Sequence, residues 1–207
     1  KYYGEYTFHY WIWKNYMDKL DDKWIGFCQY RKFFSLKKYK NDDISFKSIK
    51  EQVLKKIPKE IESFDSILVE PMFVNQLRPM KFLKSALKLF MKKPSLIYKN
   101  NRNLSFHFNW MHGDGNLDKA INLLDSSNKD DFRNFVQNEV SFNPHNMFIC
   151  KSKKILNSYY EDLFPWLEKC EKIFGFDDLK GYGKARIYGF LAERFLSYWF
   201  KKNTNFT

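Results

Sequence analysis

The 207-residue sequence has no apolar run of membrane-spanning length and no signal-peptide pattern. It therefore predicts a cytoplasmic protein, attached at most peripherally to the inner face of the cell membrane. Cysteine is sparse: Cys28, Cys150 and Cys170 are widely spaced and form no CxxC pair, which excludes a disulfide framework and a zinc ribbon. Cys28 and Cys150 lie in apolar, strand-like runs, so buried free thiols in a reducing compartment are expected. There is no HExxH and no closely spaced Cys/His set, so no metal ligands are assigned. Asp-x-Asp, the usual metal-diphosphate pattern of nucleotide-sugar transferases, is also missing. A GxxxxGK[ST] loop is absent, against a P-loop kinase, and Gly181-x-Gly183 follows no strand and lacks the rest of a dinucleotide fingerprint. No internal repeat or low-complexity linker divides the chain, so residues 1–207 read as one domain.

Acidic residues are in deficit. Against 36 Lys and Arg stand 24 Asp and Glu, a formal net charge of +12. This balance favours an anionic partner: nucleic acid, an anionic membrane surface or a phosphorylated small molecule. The cations are scattered and no nucleic-acid motif occurs, which argues against nucleic acid as the partner. Hydrophobic content of 44% and aromatic content of 20% are ample for a packed core.

Periodicity predicts an aromatic helix over Tyr6–Leu20, capped by Thr7 and largely buried because it is aromatic nearly all round. A strand beginning at Trp24, a charged loop over Leu36–Asp43 and a helix over Ile44–Ile57 stopped by Pro58 follow. Ser66–Glu70 reads as a second strand ended by Pro71. Met80–Met91 reads as a basic amphipathic helix, suited either to an anionic membrane surface or to packing on the core. Lys99–Asn103 reads as a polar loop, and His112–Asn116 as a turn with Asn116 capping a helix over Leu117–Leu124. Asp130–Asn138 reads as helix, Met147–Cys150 as a third strand, and Ser152–Phe174 and Ala185–Lys201 as long helices, the first kinked or divided at Pro165. Strands alternating with helices give an α/β fold class with a helix-rich C-terminal half.

The segment Trp24–Phe34 carries the first site candidates. Its apolar start suits a buried strand, and its end delivers Gln29, Arg31 and Lys32 among aromatics. Arg as a planar fork and Lys as a point charge suit a phosphate. An edge strand with a solvated basic end reads equally well. Acid–base candidates are Asp114, Asp118 and Glu193. Asp118 in a first helical turn also suits the helix dipole. Glu193, set in an aromatic helix, is expected to be partly buried and paired with a cation.

Four segments occur in order: Tyr10-Trp11-Ile12-Trp13-Lys14-Asn15, Ile25 through Phe34, Asn146-Met147-Phe148-Ile149, and Gly189-Phe190-Leu191-Ala192-Glu193-Arg194. Together they resemble a bacterial family of uncharacterised-domain glycosyltransferases from capsular and exopolysaccharide biosynthesis clusters, with YWxWKN, GLCHYRRYF, YNMFI and GFxxERL motifs. The resemblance covers nearly the whole chain. It implies a GT-A-like, nucleotide-diphospho-sugar-binding fold and transfer of a sugar from an activated donor, a UDP-sugar, to a glycan or lipid-linked glycan. Gln29 stands where the family usually has His, and the family's N-terminal strand and Gly/Asn-rich segment would precede Lys1, so an N-terminal truncation is expected.

On this reading Gln29, Tyr30, Arg31, Lys32 and Asn146 bind the donor, His112 and Arg194 contact sugar or acceptor, and Glu193 or Asp114 is the catalytic carboxylate. Arg31 and Lys32 share or replace the charge of a Mg²⁺ or Mn²⁺ ion, and Trp110 or Tyr30 offers a face for sugar stacking. The alternative is a non-catalytic basic module that binds anionic lipid or nucleic acid.

Overall fold

The computed structural model describes residues 2–35, 45–76, 91 and 94–207. The charged loop expected over 36–43 and the basic helix expected over 80–91 lie outside the described residues, apart from Met91.

The core is built on two long helices. In α6 (Lys153–Phe174), Leu156, Tyr159, Tyr160, Leu163, Trp166, Leu167 and Cys170 recur at helical spacing and are buried. The Ser152 side chain caps α6 by accepting the Ile155 backbone N–H at 3.3 Å. Pro165 was expected to kink or divide this segment, but α6 is one continuous helix through it. The last helix, α8 (Ile187–Asn203), is apolar nearly all round and is buried from Ile187 to Phe200 except at Phe190.

Helix α1 (Tyr6–Asn15) buries Tyr6, His9 and Ile12 and packs on α6, where Tyr6 and His9 hydrogen-bond the Tyr159 and Tyr160 hydroxyls. Its expected burial on all sides is not found: Phe8 and Trp11 are 58% and 52% exposed. Positions i, i+3 and i+6 face the core, and the remaining aromatics lie on the outer side. The helix stops at Asn15, a short 3₁₀ turn over Met17–Lys19 follows, and Thr7 is not its cap, since Glu5 holds that position.

Strands β1 (Ile25–Phe27), β2 (Ser66–Leu68) and β5 (Phe148–Cys150) form an antiparallel sheet in the order β1-β5-β2. β5 is central because Phe148, Ile149 and Cys150 are apolar on both faces and all buried. A Cβ on Gly26 would lie 2.9 Å from Ile149 Cγ1, so glycine lets the Ile149 side chain cover β1. Two further strands, β3 (Met72–Phe73) and β4 (Ser141–Phe142), pair antiparallel and are too short to leave a periodic signal. Among the described residues the sheets are thus small and open, within a mostly helical α/β fold.

Between them lie α2 (Phe46–Gln52), α3 (Leu104–His112), α4 (Asn116–Ile121) and α5 (Ser126–Asn138). α2 ends well before Pro58, where Val53 bridges to Ser35. α3 was not expected. Asn103, read as loop, caps it by accepting the Phe106 N–H at 2.9 Å. Asn116 does not cap α4. Its side chain instead donates back to the His112 carbonyl at 2.9 Å. A one-turn α7 (Tyr182–Ala185) leads into α8. Cys28 is exposed just past β1, against expectation, because the chain leaves the sheet there; Cys150 and Cys170 are buried as free thiols.

Candidate active site

β1 is an edge strand of its sheet, and the chain turns sharply after it. The Lys32 N–H donates to the Gln29 carbonyl at 3.2 Å, which places Tyr30 and Arg31 at the tip. Tyr30 is 81% exposed, with the Arg31 guanidinium 4.6 Å from its ring centroid. Lys32 points back toward the β4–β5 connection.

That connection carries left-handed backbone at non-glycine residues. His145 and Asn146 have φ of 77° and 55°, the two described non-glycine residues in the left-handed region. Such residues each cost of order 1–3 kcal/mol and persist only when the surroundings hold them. Here the His145 N–H donates to Glu193 Oε1 at 2.6 Å, and the His145 carbonyl accepts from Gln29 Nε2 at 2.9 Å. The clamp therefore joins the β1 turn to α8.

Behind it runs a buried polar chain. Glu193 Oε2 accepts from Arg194 Nη1 at 2.6 Å, and Arg194 Nη2 donates to His107 Nδ1 on α3 at 3.1 Å. The Arg194 guanidinium lies 3.6 Å from the Phe142 ring centroid. Burial pulls the Arg194 pKa down while Glu193 holds it up, and the group stays cationic. Burial, reinforced by Arg194, lowers His107 to about 2, so its imidazole is neutral. On the other side Gln29 Nε2 also donates to Glu5 Oε1 at 3.2 Å, and Glu5 Oε2 pairs with Arg186 at 3.4 Å.

The His145 ring faces outward. Lys32 Nζ lies 2.7 Å from Nε2 and 3.0 Å from Nδ1. Partial burial, then the Lys32 ammonium, lower the His145 pKa, while Glu193 and Glu5 oppose this. A cleft of about 390 Å³ opens at this point, with Arg31, Lys32 and His145 on its polar side and Phe33, Val69 and Met147 on its apolar side. Its size suits a small-molecule site. Another hollow of about 490 Å³, between α1 and α6, is lined by Tyr3, Tyr10, Glu168 and Glu171. Its carboxylates disfavour an anionic ligand.

The structure thus brings together Gln29, Arg31, Lys32, Glu193 and Arg194, and sets Asn146 beside them with its Oδ1 buried and unpartnered. Glu193 is buried and cation-paired, as the sequence suggested. His112 has a structural position. Its Nδ1 donates to the Gly183 carbonyl at 2.9 Å and its ring stacks on Phe190 at 4.1 Å. A Cβ at Gly183 would lie 2.3 Å from the Met111 carbonyl oxygen, so glycine permits this close approach. Burial, aided by Arg194, lowers His112 to about 3. Asp114 is exposed on the turn between α3 and α4.

Glu5, His107, His145 and Arg186 were not singled out from sequence. The cluster Asn143-Pro144-His145-Asn146 was the available signal, since Asn and His tolerate left-handed backbone. Among the described residues, no group of three or more His, Cys, Asp or Glu side chains could hold a metal ion, and no helix is long and apolar enough to cross a membrane.

A family model described as a domain of unknown function, DUF4422, matches residues 1–204. Comparison with curated proteins gave no match. Among solved structures the chain is similar to the apo structure of the bifunctional glycosyltransferase WbbM. The TM-score is 0.68 at 22% identity, over 97% of this chain and 34% of that one. The chain spans about a third of the length of that structure, and the likeness is one of fold.

Proposed function

The chain belongs to the DUF4422 family, and from that premise we propose that it is a glycosyltransferase moving a sugar from a nucleotide-activated donor, a UDP-sugar, onto a capsular or other surface polysaccharide. The observation that carries this reading is the cationic cleft at the end of β1, where Arg31 and Lys32 converge on a rigid backbone clamp. The four motifs and the fold likeness to a glycosyltransferase support it, and a GT-A-like ancestry for the open sheet accords with both.

Sugar transfer from a nucleotide diphosphate needs positive charge at the leaving oxygens. Arg31 offers a planar fork to two phosphate oxygens and Lys32 a point charge, so the chain's own cations carry that role. Asn146 and the exposed Tyr30 ring complete the donor side, with Gln29 fixing the loop through the His145 carbonyl. Glu193 orients: both of its oxygens are engaged, one by the His145 N–H and one by Arg194. Asp114, on the turn after α3, marks the acceptor side, and buried His112 at the end of α3 and Arg194 support that side from beneath. Peripheral attachment to an anionic membrane would bring a lipid-linked acceptor within reach.

Thermal stabilisation by nucleoside diphosphates, with and without Mn²⁺, tests the reading. A ligand at a hundred times its Kd adds about 2.7 kcal/mol, a rise of about 5–10 °C for a domain of this size. Arg31→Ala should remove most of that rise, and Lys169→Ala, paired with Asp125 on the surface, should leave it intact. Absence of nucleotide stabilisation, with binding to nucleic acid or anionic vesicles that falls steeply with salt, would favour the basic-module reading.

A further inference from the structure

We propose that the His145 imidazole is the general base that takes the acceptor proton, and that Lys32 covers it until the donor's diphosphate draws the lysine away. This rests on the donor reading of the cleft. His145 lies on the cleft wall beside both cations, and its main chain is held from two sides in a conformation that costs energy. Held backbone strain at a cleft marks a position whose geometry is set for function. The neighbouring carboxylates are less free: Glu193 is engaged at both oxygens and Glu5 is tied to Gln29 and Arg186.

The charges facing the ring are Lys32 and, across the cleft, Arg31 from the β1 turn, Glu5 from the segment before α1, and Glu193 from α8, with Arg194 and Arg186 behind the carboxylates. Partial burial, then the Lys32 ammonium, outweigh the carboxylates on the buried side, and the imidazole is neutral at neutral pH. A neutral imidazole has one lone pair, and in the free protein the Lys32 ammonium lies within 3.0 Å of both ring nitrogens and so covers whichever of them carries it. A bound diphosphate is the stronger partner for that ammonium. Transfer of Lys32 to the phosphates exposes the lone pair and also removes a positive charge from the imidazole, which makes it more basic.

The step then balances. The acceptor oxygen attacks the anomeric carbon of the donor sugar as its proton passes to His145. The bond from that carbon to the phosphate oxygen breaks, and the nucleoside diphosphate leaves with the electron pair beside Arg31 and Lys32. His145 afterwards releases the proton to solvent. Attack from the face opposite the phosphate inverts the anomeric configuration, and donor must bind before acceptor.

Three measurements on the whole chain test this. First, UDP binding is measured by calorimetry, and turnover as UDP release with whichever of a panel of UDP-hexoses the wild type consumes fastest. His145→Asn suits the left-handed backbone. It should keep UDP affinity and lower turnover about a hundred- to ten-thousandfold. Second, the acidic limb of the pH–rate profile should vanish in His145→Asn. Third, the His145 ring proton, followed by NMR, should titrate below 6.5 in the free protein and at higher pH both in Lys32→Met and with UDP bound. Failure of the wild type to bind UDP or any nucleoside diphosphate would remove the donor reading and this inference together. Nucleotide binding with His145→Asn turnover near wild type, or a comparable loss in Asp114→Asn in its place, would overturn the base assignment and leave the donor reading standing. A His145 titration unmoved by UDP would overturn the covering role of Lys32.

Discussion

Replacing Glu193 by Gln tests the buried network at its centre. Glu193 accepts two charge-strengthened hydrogen bonds of 2.6 Å, from the His145 N–H and from Arg194. Glutamine retains one carbonyl oxygen, so one of those donors meets an NH₂ group. The Arg194 side chain, only 2% exposed, loses its counter-charge and remains cationic. Removing one partner of a buried pair costs about 3–5 kcal/mol. In a domain of 150–250 residues each kcal/mol lowers Tm by about 2–4 °C, so a fall of about 6–20 °C is expected in thermal unfolding followed by circular dichroism. Arg194→Met added to Glu193→Gln should recover part of the loss, since the uncompensated cation is gone and Met still packs on Phe142. The coupling between the two sites should be about 0.5–3 kcal/mol. A Glu193→Gln protein that melts within about 2 °C of wild type would refute the orienting role. If such a well-folded variant also lost turnover, Glu193 itself would be the acceptor base.

Three buried histidines make the fold acid-sensitive. Burial lowers His9 to about 3, His107 to about 2 and His112 to about 3, against 6.5 in the unfolded chain. Below pH 6.5 the unfolded state binds more protons, so their contribution is complete above that pH and is lost as pH falls toward the folded-state values. At pH 5.5 each group costs about 1.4 kcal/mol, together about 4 kcal/mol. Urea unfolding at pH 7.5 and 5.5 measures this, and His9→Phe should reduce the difference by about a third; an unchanged difference would place the acid sensitivity elsewhere. A thiol reagent should modify one cysteine in the native protein and three after unfolding. Cys28 is exposed, whereas Cys150 and Cys170 are buried with pKa values pushed up to about 12. Rapid native modification of all three would contradict the packing of α6 against β5.

Helical periodicity and capping are local, and they were readable. The spacing of Leu156, Tyr159, Leu163 and Trp166 marks α6, Ser152 marks its start, and the all-round apolar character of Ile187–Phe200 marks a buried α8. Two expectations differ from the structure because propensity is local and packing is not. Pro165 was tolerated inside a helix held by tertiary contacts, and the outer aromatics of α1 stayed exposed because a helix of its length turns only one face to α6. α3 was missed because its polar prefix resembled a loop, although Asn103 was its cap.

By itself the sequence determined the helix-rich C-terminal half, the strands at Ile25, Ser66 and Phe148, the basic end of the first strand, and a cation partner for Glu193. Each of these depends on residues within a few positions of one another, or on the rule that a buried charge needs a counter-charge. Only the tertiary structure decided what those residues do together. Glu193 reaches the His145 N–H across 48 positions, Gln29 the His145 carbonyl across 116, and Lys32 the His145 ring across 113. The Asn143–Asn146 cluster permits left-handed backbone at His145 but does not impose it, because contacts from two distant elements stabilise it. A site assembled by such contacts becomes visible only when the chain has closed on itself.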